Sequence, residues 1–571
     1  MAEALLGIVI ENLGSFVQNQ LATYWGVDQQ TQKLSSNLTA IRAVLRDAEK
    51  KQITSEVLKN WLQKLTDAAY VLDDILDDCS IHSTKMHSDY GHTSCLSPLH
   101  PKDILFRFNI GKRMKDITQR FHDIHEEKSS FNLELGVIEV QTVEDNWRQT
   151  SSDITEPRVY GRDHDREQIV KFLLEDASNS EDLSVYPIVG MGGLGKTTLA
   201  KQVFNDHRFD DFGMTRSCKM HDLAKSIMGE ECVIIEKGRL TQLPTRVHYV
   251  SLSNSKVSVD VTAFKKVESL RTFLDFGNID LVPSTHRLRA LRTRSSLLFP
   301  LKDLGHLRYL NCGPRASLNN LIWQLPKLQI LKLEDFYHLR LPKELTQLQD
   351  LRHIVLNRNV SIEMPPNIGK LRHLRTLSNF VVGSKAGCGL AELHSLKLRG
   401  TLRVEGLENV PNEWDAKQAN LIGKKDLNIL HLSWDGSANS EGSNVNIERV
   451  LEALQPPSTL KSLVIKGYKG RQLSSWMRNG TVLRDWVEVK LLDCNNYEEL
   501  PPLRKLPHLK RLDVRGMKNV KWIDGESYDG LEEKAFPSLE EFTKIREDVE
   551  GRRSRDALSS FSIKNIRRFQ P

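Results

Sequence analysis

The segment of the sequence best suited to chemistry is a glycine-rich loop that follows a short apolar run. Residues 184–189 predict a buried strand, and residues 190–197 read GMGGLGKT. A GxxxxGK[ST] pattern between a strand and a helix is typical of a phosphate-binding loop, because glycines let backbone N–H groups turn towards phosphate oxygens. We expect Lys196 to neutralise the β- and γ-phosphates and the Thr197 hydroxyl to coordinate Mg²⁺. The candidate contacts are Gly190, Gly192, Gly193, Leu194, Gly195, Lys196, Thr197 and Thr198.

An amphipathic helical region precedes this loop. Apolar residues recur at steps of three and four along residues 34–48 and 58–76, which predicts helices that pack antiparallel in a bundle. The second of these helices also carries Asp73, Asp74, Asp77 and Asp78 on its other face. We interpret these acids as a solvated or partner-facing edge, because a magnesium-binding aspartate of a phosphate-loop protein follows a buried strand and not a helical period.

A second group of potential ligands follows the acidic residues. The pairs Cys79 with His82 and His92 with Cys95, with two further histidines nearby, contain ligand types for a tetrahedral zinc site. The surrounding segment is polar and rich in serine, however, which favours an exposed linker loop over a compact zinc knuckle.

The second half of the chain repeats itself. Leu328, Leu351 and Leu374 are each separated by 23 residues, which is a leucine-rich-repeat period and predicts a curved solenoid with the leucines in its core. Function is expected on the concave side, where the intervening residues are mostly basic and suit an acidic protein partner or the acidic helix of the head; the alternative is that they are simply solvated. These residues are Arg352, His353, Arg375, Lys461, Lys510, Arg511 and Asp513.

Composition limits the class of protein. The 571 residues suggest three or four domains, and a net charge of +6 from 80 basic and 74 acidic residues does not demand a nucleic-acid partner. Seven scattered cysteines without a CxxC pair, and an N-terminus with no basic region before its apolar residues, favour a reducing, cytoplasmic compartment. Nothing indicates a membrane: Ala2 excludes N-myristoylation, and the first apolar helix face is expected to pack in the bundle.

Three further motifs accompany the phosphate loop. Residues 159–163 read VYGRD, residues 203–206 read VFND, and residues 220–223 read MHDL. Together with Trp61 and the acidic residues of the helical region, this order of motifs resembles plant disease-resistance receptors that join a coiled-coil head, a nucleotide-binding domain and leucine-rich repeats. The resemblance covers almost the whole chain.

The resemblance implies roles for particular residues and parts. It implies that ADP or ATP binds with Mg²⁺, that Val159, Gly161 and Arg162 lie against the base, and that His221 faces the ADP phosphates. A capping or ion-pairing role beside Asp222 is the alternative for His221. The head would signal through other receptors or signalling proteins, and the repeats would sense a pathogen effector or a guarded host protein.

The sequence departs from this family between the phosphate loop and the MHDL motif. Only 24 residues lead from Lys196 to Met220, where the family has a far longer segment that includes the magnesium-coupled aspartate and the base-holding loop. One strand and one helix cannot form a doubly wound sheet. An alternative function is therefore a nucleotide-independent interaction protein, a decoy or modulator of full-length receptors, and neither alternative predicts catalytic turnover.

The predicted architecture is multidomain: an α-helical bundle, a truncated α/β phosphate-loop fragment and a leucine-rich-repeat solenoid. The boundaries are 1–125 for the coiled-coil head, 126–157 for a linker, 158–213 for the phosphate-loop fragment, 214–244 for a winged-helix remnant with the MHD motif, 245–542 for the repeats and 543–571 for an irregular tail.

Overall fold

The helical periodicity of the first part of the chain produces a bundle of four long helices and one short helix. The structure is a computed structural model of the whole chain, and it describes residues 2–51, 55–89, 101–131, 166–171 and 203, most of 231–545, and 559–562. Both α1 and α5 pack against α3 and α4. The helices are α1 (Ala2–Gln18), α2 (Leu21–Trp25), α3 (Asp28–Lys51), α4 (Glu56–Asp89) and α5 (Pro101–Glu127).

The apolar stripes predicted on α3 and α4 form the core of this head. Leu38, Leu45, Leu65 and Leu72, among others, are completely or almost completely buried in one apolar cluster. Trp61 is also buried there, and its indole Nε1 donates a hydrogen bond to the carbonyl oxygen of Ile124 at 2.9 Å, which joins α4 to α5. The predicted helical bundle is therefore confirmed.

The segment that begins at Cys79 differs from the predicted loop. It continues α4 as far as Asp89, and the Cys79 side chain is fully buried in the core of the head. Burial raises the pKa of the Cys79 thiol to about 12, so the thiol is a protonated core group. Within the described residues no group of three or more His, Cys, Asp and Glu side chains could hold a metal ion; residues 92, 95 and 100 lie outside them.

The repeats form two mainly parallel sheets, each of eight strands. The first sheet has the order β1-β3-β5-β6-β7-β8-β10-β12 and the second the order β13-β14-β15-β16-β17-β19-β22-β23. The strands of the first sheet are β1 (Cys232–Ile235), β3 (Tyr249–Leu252), β5 (Thr272–Asp275), β6 (Ala290–Thr293), β7 (Tyr309–Cys312), β8 (Ile330–Leu333), β10 (His353–Leu356) and β12 (Thr376–Leu377). Those of the second are β13 (Asn379–Val381), β14 (Gly400–Glu405), β15 (Leu427–Ser433), β16 (Ser462–Lys466), β17 (Glu488–Leu492), β19 (Arg511–Arg515), β22 (Glu541–Ile545) and β23 (Ser559–Ser562).

Shorter strands and helices lie between them. The remaining strands are β2 (Gly238–Leu240), β4 (Val257–Val259), β9 (His338–Arg340), β11 (Ser361–Glu363), β18 (Glu499–Leu500), β20 (Trp522–Ile523) and β21 (Glu526–Ser527). The remaining α-helices of the repeats are α6 (Glu413–Gln418), α7 (Asn444–Ala453), α8 (Ser475–Arg478) and α9 (Gly480–Leu483).

The 23-residue period appears directly as strand register. Leu331 of β8 stands opposite Ile354 of β10, and Ile354 stands opposite Leu377 of β12. All three side chains are fully buried, whereas the residues between them face the other side of the pleat. One repeat cannot bury its leucines alone, so the stacked strands share a continuous apolar core that extends from Val247 to Leu539. The predicted solenoid is confirmed.

The two ends of the solenoid differ from the sequence prediction. The first sheet already begins with β1 at Cys232, ahead of residue 245. At the other end, the tail predicted to be irregular contains β23, which pairs antiparallel with β22. An antiparallel strand covers the open edge of β22 and so ends the parallel stacking.

The head and the repeats belong to one compact unit, and residues 135–232 form another. Within the second unit the structure describes only a helical segment at 166–171 and a few single residues. The proposed boundaries of the linker and of the phosphate-loop fragment therefore remain predictions. None of the described helices combines the length and the apolar character that crossing a membrane requires.

Candidate functional site: an acidic helix face on an arginine column

The outward face of α4 carries four aspartates that share one side of the helix. Asp73, Asp74, Asp77 and Asp78 follow each other at steps of one, three and one, so successive pairs are separated by one helical turn. Asp74 has only 2% of its surface exposed and Asp73 only 3%. The expectation of a solvated edge is therefore wrong, and the alternative of a partner-facing edge describes these residues.

The partner is a column of arginines on the first sheet of the repeats. Arg271, Arg289 and Arg308 each stand directly before a strand, at β5, β6 and β7. The carbonyl oxygen of each arginine accepts hydrogen bonds from the backbone of the next repeat, including Arg271 from Arg289 and Arg289 from Arg308. Neighbouring strands lie about 4.8 Å apart, so the parallel stacking presents one guanidinium group per repeat to α4.

Ion pairs connect this column to α4. Arg271 binds both carboxylate oxygens of Asp74, with an Nη2–Oδ2 distance of 2.8 Å. Arg289 bridges two aspartates, because it binds Asp73 and also donates from Nη2 to Asp74 Oδ1 at 2.8 Å. Arg308 Nη2 donates to Asp77 Oδ2 at 2.8 Å. Two-point guanidinium–carboxylate contacts are the strongest kind of charge-assisted hydrogen bond in proteins.

Asp78 and His306 extend the contact at one side of the column. His306 Nε2 lies 2.8 Å from Asp78 Oδ1, and His306 Nδ1 lies 3.6 Å from Asp77 Oδ2. Arg113 of α5 binds the other oxygen of Asp78 at 2.7 Å. The aspartates are thus held both from the repeats and from inside the head.

Both ends of the acidic face also contact the repeats. Before the aspartates, the Tyr70 hydroxyl lies 2.7 Å from that of Tyr249, and the Tyr70 ring stacks on His248 with a centroid separation of 4.8 Å. After them, Lys327 Nζ donates to Ser80 Oγ at 2.6 Å. The contacts advance along α4 by three or four residues as they advance along the solenoid, because one helical turn rises about 5.4 Å, close to the strand spacing.

The electrostatics of the site favour the charged forms. Burial disfavours the charge of Asp74, but hydrogen bonds and charges from Arg271 and Arg289 outweigh it and lower the pKa of this carboxyl. Burial likewise opposes protonation of His306, but the carboxylates of Asp77 and Asp78 beside the ring outweigh it and raise the pKa of the imidazole to about 9. His306 is therefore an imidazolium at neutral pH and acts as a further cation of the site.

This arrangement can hold the head on the repeats through charge. The apolar core of the head and that of the repeats are separate clusters among the described residues, so the junction between them is largely polar. Buried ion pairs lose much of their Coulomb energy to desolvation. The junction is therefore specific in register, yet open to disruption by removal of one charged group.

The sequence-predicted nucleotide site lies elsewhere. All twelve of its residues, from Val159 to Thr198 and His221, are outside the described part of the chain. Of the basic residues predicted on the repeats, Arg352, Arg375, Lys461 and Lys510 occupy the position directly before a strand, the same position as the arginines that bind α4. The sequence analysis missed Arg271, Arg289, Arg308 and His306, although a Leu-Arg pair before each strand was a signal that could have identified the arginines.

Arg271→Ala is expected to loosen α4 from the repeats, because it leaves the buried Asp74 with fewer cations. Removing one partner of a buried pair costs roughly 3 kcal/mol or more, and this corresponds to an increase of at least ~100-fold in local opening. Hydrogen–deuterium exchange of residues 68–81 in the intact chain measures this opening. Arg375→Ala is the matched control, since Arg375 stands in the same column without an ion pair; equal exchange in both variants would contradict the assignment.

His306→Gln is expected to weaken the junction in a pH-dependent way. The pKa of His306 is raised in the folded chain, so its contribution is fully present below about pH 6.5 and is lost as pH rises towards 9. The difference in α4 exchange between wild type and variant should be large at pH 6 and small above pH 9, and ~3 kcal/mol is its upper limit. His353→Gln is the control: burial, then Arg399 and Arg352, lower the pKa of His353, so no change is expected between pH 7 and 9.

Comparisons with known proteins agree with this architecture. Residues 5–120 match the Rx N-terminal domain, residues 162–230 the NB-ARC domain, and residues 390–517 the R13L1/DRL21 leucine-rich repeats. Disease resistance protein RGA2 of Solanum bulbocastanum is 28% identical over an alignment that covers 96% of this chain and 82% of the relative. RGA1 of the same species is also 28% identical, with 94% and 80% covered.

These alignments are longer than the chain itself. The RGA1 alignment extends over 796 residues, against 571 residues in this protein, so the relative contains residues that this chain lacks. A solved leucine-rich-repeat protein of Leptospira interrogans matches 53% of the chain at 16% identity and a TM-score of 0.31. The three domain matches and their order, together with the curated relatives, support the assignment of this chain to the plant coiled-coil NB-ARC leucine-rich-repeat disease-resistance proteins, with a short NB-ARC segment.

Proposed function

We propose that this protein is a cytoplasmic receptor of plant defence whose repeats sense other proteins and restrain the helical head. The observation that carries the proposal is the charged junction between α4 and the arginine column. It ties a head of the Rx type, which in this family signals, to repeats that in this family sense. A pathogen effector or a guarded host protein would bind the repeats, and a freed head would engage other receptors or signalling proteins.

The restraint is testable by charge reversal. We expect the double variant Arg271→Glu/Arg289→Glu, expressed in leaves, to cause stronger cell death than wild type at equal protein amounts, because α4 is repelled from the repeats. Lys370→Glu/Arg372→Glu is the matched control, since it reverses two exposed charges of the same solenoid that do not contact the head. Absence of cell death with the junction variant, despite increased exchange of α4, would contradict the defence role of the head.

The second part of the proposal is nucleotide binding without turnover. The NB-ARC match at 162–230 supports a nucleotide-binding ancestry for this segment. Gly190 to Thr198 would hold the phosphates of ADP or ATP, with Thr197 on Mg²⁺. Val159, Gly161 and Arg162 would lie against the base.

Lys196→Ala tests this binding. Nucleotide released by denaturing the purified protein should contain about one ADP or ATP per chain for wild type and little for the variant, because the lysine neutralises the β- and γ-phosphates. Lys201→Ala, a lysine just beyond the loop, should retain the nucleotide. If wild type carries no nucleotide and binds none when it is added, the proposal of a nucleotide switch fails.

A second candidate function is a nucleotide-independent interaction protein that acts as a decoy or modulator of full-length receptors. It is favoured by the short NB-ARC match and by the residues that the relatives have in excess of this chain. Under this alternative the junction variants change association with other receptors, and Lys196→Ala has no effect on that association.

A further inference from the structure

Beyond the residues that bind the head, and after Gln329 before β8, arginines return to the same position of the repeats. Arg352, Arg375 and Arg399 stand directly before β10, β12 and β14, in the position that Arg271, Arg289 and Arg308 occupy earlier in the solenoid. The same backbone pattern connects them, because the carbonyl of Arg352 accepts from Arg375 N and that of Arg375 from Arg399 N. Arg352 and Arg399 are exposed, and Arg375 is half-buried.

These three guanidinium groups differ from the first three in one respect. In the described part of the chain, none of them makes an ion pair or a side-chain hydrogen bond. Among the residues that the structure describes, these three stacked positive charges therefore have no counter-charge.

The first half of the column shows which ligand such a row takes. There, carboxylates from successive turns of a helix pair with guanidinium groups from successive repeats. The match is geometric as well as electrostatic, since a turn rises about 5.4 Å and strands lie about 4.8 Å apart. Three arginines in register therefore span roughly two helical turns.

We propose that Arg352, Arg375 and Arg399 form a docking surface for an acidic α-helix of another protein, with Asp or Glu at steps of three or four residues. This proposal rests on the protein-sensing role proposed above for the repeats and states the chemistry of the partner. The aspartates of α4 in a second copy of this chain are not available for the surface, because each copy buries them against its own column. The occupant is consequently a different protein.

A protein helix fits this row better than a nucleic acid does. Affinity for nucleic acid grows with the number of phosphates that a protein neutralises, and a row of three arginines offers few such contacts. The chain as a whole has a net charge of only +6. Carboxylates on a helix instead repeat the contact that the same column already makes with α4.

The test is binding of a designed helical peptide to the intact chain. The probe is an alanine-based peptide with paired aspartates on successive turns, spaced as in residues 73, 74, 77 and 78 of α4 and labelled for fluorescence anisotropy. We expect Arg352→Ala/Arg375→Ala/Arg399→Ala to weaken its binding about tenfold or more, since three charge-assisted contacts are lost. The same peptide with asparagine in place of aspartate should not bind.

Two further variants separate position from charge. Lys343→Ala/Lys370→Ala/Arg372→Ala removes three exposed positive charges from the same repeats outside the column, and it should leave peptide binding within about twofold of wild type. Arg352→Lys/Arg375→Lys/Arg399→Lys should bind with intermediate affinity, because lysine retains the charge without the planar fork. Equal thermal unfolding of all variants shows that the solenoid is intact.

Three results would overturn the proposal. The first is equal weakening by the two alanine triple variants, which means diffuse attraction. The second is loss of peptide binding in the Arg271→Ala variant but not in Arg352→Ala/Arg375→Ala/Arg399→Ala. This result would mean that the peptide binds by displacing α4. The third is an oligonucleotide that binds through the three arginines more tightly than the peptide, which assigns the surface to nucleic acid.

The outcome is independent of the defence assay. If the peptide fails to bind while the junction variants still cause cell death, only the docking surface is wrong. If the peptide binds as expected and no variant causes cell death, the surface remains and the defence role fails.

Discussion

The structure depends on a contact between charges and not between apolar surfaces. The head and the solenoid each bury their own apolar residues in a separate cluster, and the central ion pairs of the contact link Asp73, Asp74 and Asp77 to Arg271, Arg289 and Arg308. Apolar contacts are non-directional, whereas paired guanidinium and carboxylate groups are bound in one geometry. The position of α4 along the repeats is therefore set by charge pairing.

Such a contact suits a reversible restraint. Burying Asp74 at 2% exposure is costly unless its charge is compensated, and three cations supply this compensation: Arg271, Arg289 and, at 3.5 Å, Arg287. The net stabilisation by a buried ion pair is small compared with its two opposing terms, the Coulomb attraction and the cost of desolvation. A ligand on the repeats thus needs only a modest difference in affinity between the bound and released arrangements to shift the population of the head.

The same column contains two groups of arginines, those that pair with α4 and those that do not. A parallel stack aligns the side chains that stand at one position of each repeat, so the arginines before β5, β6, β7, β10, β12 and β14 form a row that only Gln329, before β8, interrupts. The head pairs with the first arginines of that row, Arg271, Arg289 and Arg308. The remaining arginines are thereby available for recognition.

The sequence alone determined the elements and their periods. A step of three and four predicted the helices of the head, and the interval of 23 residues predicted the repeats, because local periodicity decides which face an isolated helix or strand must bury. The phosphate loop was likewise recognisable from residues 190–197, since its chemistry depends on adjacent residues. The helical period, the repeat interval and the phosphate-loop motif all depend on residues that are close together in the sequence.

Only the tertiary structure determined which charged and polar groups are buried and which partners they bind. Asp74 lies 197 residues from Arg271 in sequence, and no local pattern distinguishes an aspartate that will be solvated from one that will be buried in an ion pair. For Cys79 the sequence favoured an exposed loop over a zinc site, because the serine-rich residues around it do not reveal that α4 continues through this segment and buries the thiol. Burial and partners are set by contacts between distant segments, which is why the sequence predicted the framework and offered the acidic helix as one candidate partner of the repeats, while only the fold identified the arginines that bind it.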